Sequence, residues 1–127
     1  MALLSLFCLF APFPLLIIEK LLPFPFIIEE LFKLFVVTST PQKNNWLLPV
    51  VLGIVFSFSE SILYVVNFFQ LGNFENLPLR LVLTTSLHTF TFLLMYCFRS
   101  KKTSLFIALV VSMVIHFYYN QFVWICI

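Results

Sequence analysis

Residues 79–125 read LRLVLTTSLHTFTFLLMYCFRSKKTSLFIALVVSMVIHFYYNQFVWI. Two apolar runs, 79–98 and 105–125, flank a short joint that carries Arg99, Lys101 and Lys102. Each run is close to the ~20 residues with which a helix crosses a bilayer. Hydrocarbon offers the backbone no hydrogen-bond partner, so such a run must satisfy its peptide groups internally, as a helix. Working outward, residues 46–70, 21–38 and 2–18 repeat the pattern, with polar or proline-containing breaks at Pro41 to Asn45 and at Gly72 to Pro78. Pro78 suits a first helical turn. The predicted fold is all-α: a polytopic transmembrane helical bundle with a four-helix core over about 21–38, 46–70, 79–98 and 105–125, plus a short N-terminal hydrophobic segment. Residues 1–127 form a single membrane-embedded domain. The first joint is only Glu19 and Lys20, and Pro12, Pro14, Pro23 and Pro25 interrupt both neighbours, so a half-helix and a full hairpin are equally compatible with 2–18.

Composition excludes the soluble classes. The chain is 62% hydrophobic and 9% charged, with a mean hydropathy of +1.11, whereas about a quarter of the residues of a soluble domain are charged. A net charge of +2 with one basic cluster fits a cytoplasmic loop rather than a nucleic-acid surface, so no nucleic-acid partner is expected. Cys8, Cys97 and Cys126 are isolated in apolar runs, which indicates neither a disulfide framework nor a cysteine zinc site. The first 18 residues lack a basic start and a small-residue cleavage site, and retention is expected. Alternating spans put Lys43, Arg99, Lys101 and Lys102 on the side of the N-terminus and Lys20 and Arg80 on the other, which predicts a cytoplasmic N-terminus.

Against that background the ionisable groups stand out. Glu29, Glu30, Lys33 and Glu60 lie inside apolar runs, at about 2.5–3.5 kcal/mol each on insertion scales. Glu29 and Glu30, Glu60, His88 and His116 all fall about 8–10 residues from the non-cytoplasmic ends of their spans, a common depth of about 12–15 Å. Within the spans, Gly53, Phe56, Ser57, Glu60, Tyr64 and Asn67 share a stripe, as do Arg80, Thr84 and His88, and Ser112, His116 and Asn120, at three- and four-residue helical steps. Lys33 is spaced to neutralise one of Glu29 and Glu30. A packing role competes with each reading: a hydrogen-bonded Glu60, a structural Glu–Lys pair, a histidine bonding across helices, and an Arg80 that snorkels to the interface.

Glu29-Glu30-Leu31-Phe32-Lys33 resembles an EExxK motif, Phe56-Ser57-Phe58-Ser59-Glu60 an FxxxE motif and His116-Phe117-Tyr118-Tyr119-Asn120 an HxxxN motif. They occur in the order found in PrsW-type intramembrane proteases, relatives of the CAAX prenyl proteases and bacteriocin-processing membrane enzymes. Gly53, Tyr64 and Arg80, at their spacings from these motifs, are also similar to that family's pattern over roughly residues 20–125. The glycine-rich stretch that follows the His88-type histidine in the family is here Thr89-Phe90-Thr91-Phe92, and the CAAX branch carries a histidine where this chain has Glu60. The resemblance implies a multi-pass protein of a prokaryotic cell membrane and a peptidase acting on a membrane-protein substrate within the lipid bilayer. It implies catalytic roles for Glu29, Glu30, Glu60, His88, His116 and Asn120, with Lys33, Tyr64 and Arg80 in support.

The groups themselves suit that chemistry. A carboxylate in a low-dielectric cavity can draw a proton from water, and the resemblance gives this task to Glu29. Glu30 and Lys33 hold local charge, Glu60 and His88 position the water, and His116 and Asn120, one turn apart, can supply donors to a developing oxyanion. The rival arrangement uses a single divalent metal such as zinc, held by Glu29, Glu60, His88 and His116; no cofactor and one metal ion both remain open. Two non-peptidase readings stand beside these, a small proton or cation relay and a non-catalytic membrane interaction protein.

Overall fold

The computed structural model describes residues 2–19, 24–40, 45–71 and 76–126. Lys20, Pro23 and residues 41–44 and 72–75 lie outside the described residues, as do the side chains of Tyr64, Asn67 and Trp124. The described chain is all helical: α1 (Ala2–Phe10), α2 (Pro12–Glu19), α3 (Pro25–Ser39), α4 (Leu47–Leu71), α5 (Leu77–Phe98) and α6 (Lys102–Cys126).

Prolines set the bounds where these differ from the sequence pattern. The run 2–18 is two helices meeting at Ala11, because Pro12 has no N–H with which to continue α1. Helical bonds from Ala11 N to Phe7 O (3.0 Å) and from Leu15 N to Ala11 O (3.1 Å) carry the chain across the break. The helix expected at 21–38 runs from 25 to 39, with Pro25 in its first turn, where a missing N–H costs nothing. At 15 residues α3 is shorter than a bilayer crossing requires. Its C-terminal end is closed by Thr40, whose hydroxyl donates to Val37 O at 2.7 Å and accepts from Arg99 Nη1 at 3.0 Å. Arg99 therefore places a cation at a helix C-terminus, in addition to marking a basic loop.

Leu77–Phe98 and Lys102–Val123 are each long and apolar enough to cross a membrane. Large apolar side chains face outward while charged and polar ones share the interior with an apolar core. Phe106, Val82, Phe58 and Ile107 are more than half exposed, while Glu30, Lys33, Ser57, Ser59, Thr84, His88, Thr91 and Ser112 are fully buried. A surface of large apolar side chains around an interior that holds charged groups fits a hydrocarbon surround.

α4 and α5 form the most extensive helix pair, α6 packs on α5 and α3, and α3 also reaches α5. Gly53 makes the first contact possible: a Cβ there would stand 2.5 Å from Thr89 Cα and 2.9 Å from Thr89 N. One turn later the hydroxyls of Ser57 and Thr85 bond at 2.7 Å. Such small and hydroxyl-bearing contacts are how helices associate where no hydrophobic difference drives them together. An apolar core includes Val36, Val37, Leu48, Leu52, Phe56, Phe92, Met95, Ala108 and Leu109, and Phe56 and Phe92 of that core border the buried polar groups.

Candidate functional site

Three residues of α3 anchor the polar centre. Lys33, with no exposed surface, donates to Glu30 Oε1 at 2.6 Å and to Thr91 Oγ1 of α5 at 2.9 Å. The rings of Phe56 and Phe92 lie 5.6 and 5.9 Å from its ammonium, close enough for cation–π attraction. The i,i+3 partner Glu30 is thus the carboxylate that Lys33 neutralises.

The same Glu30 oxygen meets His116 Nδ1 of α6 at 2.8 Å, and the other ring nitrogen, Nε2, faces Glu29 Oε2 at 3.8 Å. A carboxylate gripped by an ammonium only accepts, so the Nδ1 proton points at Glu30. His116 is held in one orientation, with Nε2 aimed at Glu29, much as a second carboxylate orients a catalytic imidazole.

On the facing pair of helices, Glu60 of α4 contacts His88 Nε2 of α5 directly. Phe56 packs on the His88 ring at 5.0 Å, and the His88 and His116 rings stand edge to face with centroids 5.4 Å apart. His88 Nδ1 is buried with no hydrogen-bond partner among the described residues. Donor atoms of Glu29, Glu60 and His88, from three helices, lie within 4.8 Å of one another. Two carboxylate–imidazole pairs therefore face each other across the bundle: Glu60 with His88, and Glu29 and Glu30 with His116.

The remaining expected residues sit further out. Asn120 is half-buried one turn beyond His116, with no hydrogen bond among the described residues. Arg80 is half-buried two turns before His88, about 12 Å along the axis. Tyr64 has no described side chain. Of the four candidate metal ligands, Glu29, Glu60 and His88 present donor atoms within 4.8 Å of one another, and His116 meets Glu30 through Nδ1 and faces Glu29 through Nε2 at 3.8 Å. Two carboxylates and one imidazole are a donor set that a catalytic divalent ion accepts, leaving a coordination position open.

Thr91, Ser59 and Tyr119 were not singled out by the sequence pattern. Thr91 continues the stripe of Thr84 and His88, a signal available from spacing alone. Tyr119 Oη bonds Thr84 Oγ1 at 2.6 Å and its ring stands 6.3 Å from that of His116. Nothing in the sequence distinguishes Ser59 from its neighbours. Compared with known protein families, characterised proteins and solved structures, the chain matches none.

Proposed function

We propose that this chain is a membrane-embedded endopeptidase, similar in its motifs to the PrsW type, that hydrolyses a peptide bond of a membrane-associated protein. The observation that carries the reading is the approach of Glu29, Glu60 and His88 donors to within 4.8 Å, with His116 aimed at Glu29 from the other side. In this reading α3 to α6 form a core in a multi-pass bundle, with the N-terminus cytoplasmic.

Glu29 takes a proton from a water held between it and the Glu60–His88 pair. The water oxygen attacks the scissile carbonyl carbon, and negative charge moves to the carbonyl oxygen. Protonation of the amide nitrogen, by the proton that Glu29 accepted, lets the C–N bond break to a carboxylic acid and an amine. His116 acts on Glu29 through its Nε2, which Glu30 and Lys33 keep in place. Asn120 is the donor left for the oxyanion. Were a divalent ion present, Glu29, Glu60 and His88 would hold it, and it would supply Lewis acidity to the same water.

A proton relay is the second reading, favoured by one observation. The imidazoles of His88 and His116, 5.4 Å apart, link carboxylates on opposite walls, and such chains conduct protons in membranes. The peptidase reading is tested by reconstituting the full chain with single-span membrane proteins. Their cleavage by the parent and not by Glu29→Gln is expected, and intact substrates with the parent would overturn it.

A further inference from the structure

The peptidase reading leaves the scissile carbonyl oxygen short of donors. A developing oxyanion is held best by hydrogen-bond donors that are fixed before the reaction starts. The spacing of His116 and Asn120 offers two, but both nitrogens of His116 are turned to carboxylates, Nδ1 to Glu30 and Nε2 to Glu29. Asn120 is half-buried, and among the described residues no hydrogen bond fixes its amide in one orientation.

Tyr119 lies between these two residues on the same turn of α6, and it is held on both sides. Its ring meets that of His116 edge to face, with centroids 6.3 Å apart, and its Oη lies 2.6 Å from Thr84 Oγ1 of α5. Thr84 is fully buried and sits one turn before His88. Thr85, Ser86 and Thr91 donate their hydroxyl protons to carbonyls of their own helix. Thr84 makes no such bond among the described residues, and its partner is the phenol oxygen. A threonine hydroxyl has one proton to give, and given to Tyr119 it leaves the phenol proton to point elsewhere. The charges whose fields reach the phenol are those of Glu60 on α4, Arg80 on α5 and Glu29 on α3. The two carboxylates draw the phenol proton toward the gap where donor atoms of Glu29, Glu60 and His88 converge.

We infer that Tyr119 is a catalytic residue, a second donor to the carbonyl oxygen, and that Thr84 is the positioning residue that holds its phenol. This deepens the peptidase reading and rests on it for the reaction itself. As the water oxygen adds to the carbonyl carbon, the phenol O–H tightens its hydrogen bond to the oxygen that gains charge, and it keeps its proton throughout. Tyr119 thereby takes the task for which His116 has no nitrogen left.

The full chain is reconstituted with single-span membrane proteins, and cleavage is followed against substrate density in the bilayer. Tyr119→Phe removes one oxygen and keeps the ring against His116. Its kcat should fall about 10²–10³, the scale of a deleted oxyanion donor, with KM near that of the parent. Thr84→Val should lower kcat about three- to tenfold, the effect of one lost hydrogen bond, and Thr84→Ser should recover most of that loss. A second measurement needs no cleavage: 3-fluorotyrosine introduced in place of Tyr119 is observed by fluorine NMR of the full chain in detergent. Its resonance should shift with Glu29→Gln and with Glu60→Gln, whereas the same label in place of Tyr118, which is 66% exposed, should not. A parent that cleaves, with Tyr119→Phe close to it in rate, overturns this inference and leaves the peptidase reading standing. A label at Tyr119 indifferent to both glutamate substitutions also overturns it, because any loss of cleavage would then be structural. A parent that cleaves no offered protein removes the peptidase reading and this role together.

Discussion

Lys33 of α3 and Thr91 of α5 are joined across the bundle, Nζ to Oγ1 at 2.9 Å, and this bond ties the glutamate-bearing helix to the helix that carries His88. Thr91 also donates to the His88 carbonyl at 3.2 Å. The ammonium has two oxygen partners and two aromatic neighbours, all inside the protein.

Removing that ammonium should be severe. Lys33→Met leaves Glu30 as a buried carboxylate whose cation is gone, a change that costs about 3–5 kcal/mol when one partner of a buried pair is deleted. Thr91→Val keeps the shape and removes one acceptor, at about 1–3 kcal/mol. Thermal unfolding of the purified variants in detergent checks both. Lys33→Met combined with Glu30→Gln should recover part of the loss, because the uncompensated charge goes with the glutamate. A double variant no better than Lys33→Met would refute the pairing as the source of stability.

The α4–α5 contact yields a prediction of a different kind. Gly53→Ala places a methyl 2.5 Å from Thr89 Cα, a backbone atom that cannot rotate away. The helices must part, at about 1–3 kcal/mol for overpacking, and the Ser57–Thr85 bond one turn away should lengthen. Truncating the neighbour, Gly53→Ala with Thr89→Ala, should not rescue stability, since the nearest atoms are backbone. Full rescue in the same unfolding measurement would show that only the side chain was in the way.

How much of this was legible in the sequence depends on the residue. The apolar runs ending at Phe98 and beginning near Leu105 needed only their length, because no proline lies inside either and the one charge, Arg80, sits at the edge of the first. α3 started four residues late because Pro25 can begin a helix but not lie inside one. Stripes such as Thr84 with His88, and Ser112 with His116, follow from the 3.6-residue period. The choice Lys33 makes between Glu29 and Glu30 does not, since i,i+3 and i,i+4 partners are nearly equivalent on one helix. Thr91 and His116, from two other helices, decide it. Ser59 was illegible for the same reason: its partner is the backbone of a segment fifty residues earlier.

For metal, the expected outcome is cleavage that persists after chelator treatment, because each carboxylate near His88 has a partner within the protein. Zinc titration by calorimetry provides a readout separate from activity. Tight binding that is lost on both Glu60→Gln and His88→Ala, together with cleavage restored by zinc after chelation, would make Glu60 a ligand and end the glutamate-only mechanism.

The last prediction separates peptidase from relay at Glu29 and His116. Glu29→Gln preserves size and hydrogen bonding but removes the basic oxygen, so the chemical step should be lost while the protein still inserts and folds. His116→Ala frees Glu30 Oε1 to Lys33 alone and leaves Glu29 without the imidazole 3.8 Å away. Its effect on rate should be about 10²–10³, because His116 acts through Glu29, and a positioned general base contributes about 10²–10⁴. His116→Gln, which keeps one donor for Glu30 but cannot carry a proton onward, distinguishes the two roles. A peptidase retains part of its cleavage in that variant, whereas a relay through His88 and His116 stops. Cleavage of co-reconstituted single-span proteins is measured beside proton flux in the same vesicles. Flux in the parent that both Glu29→Gln and His116→Gln abolish, with every offered membrane protein left intact, would replace the peptidase by the relay.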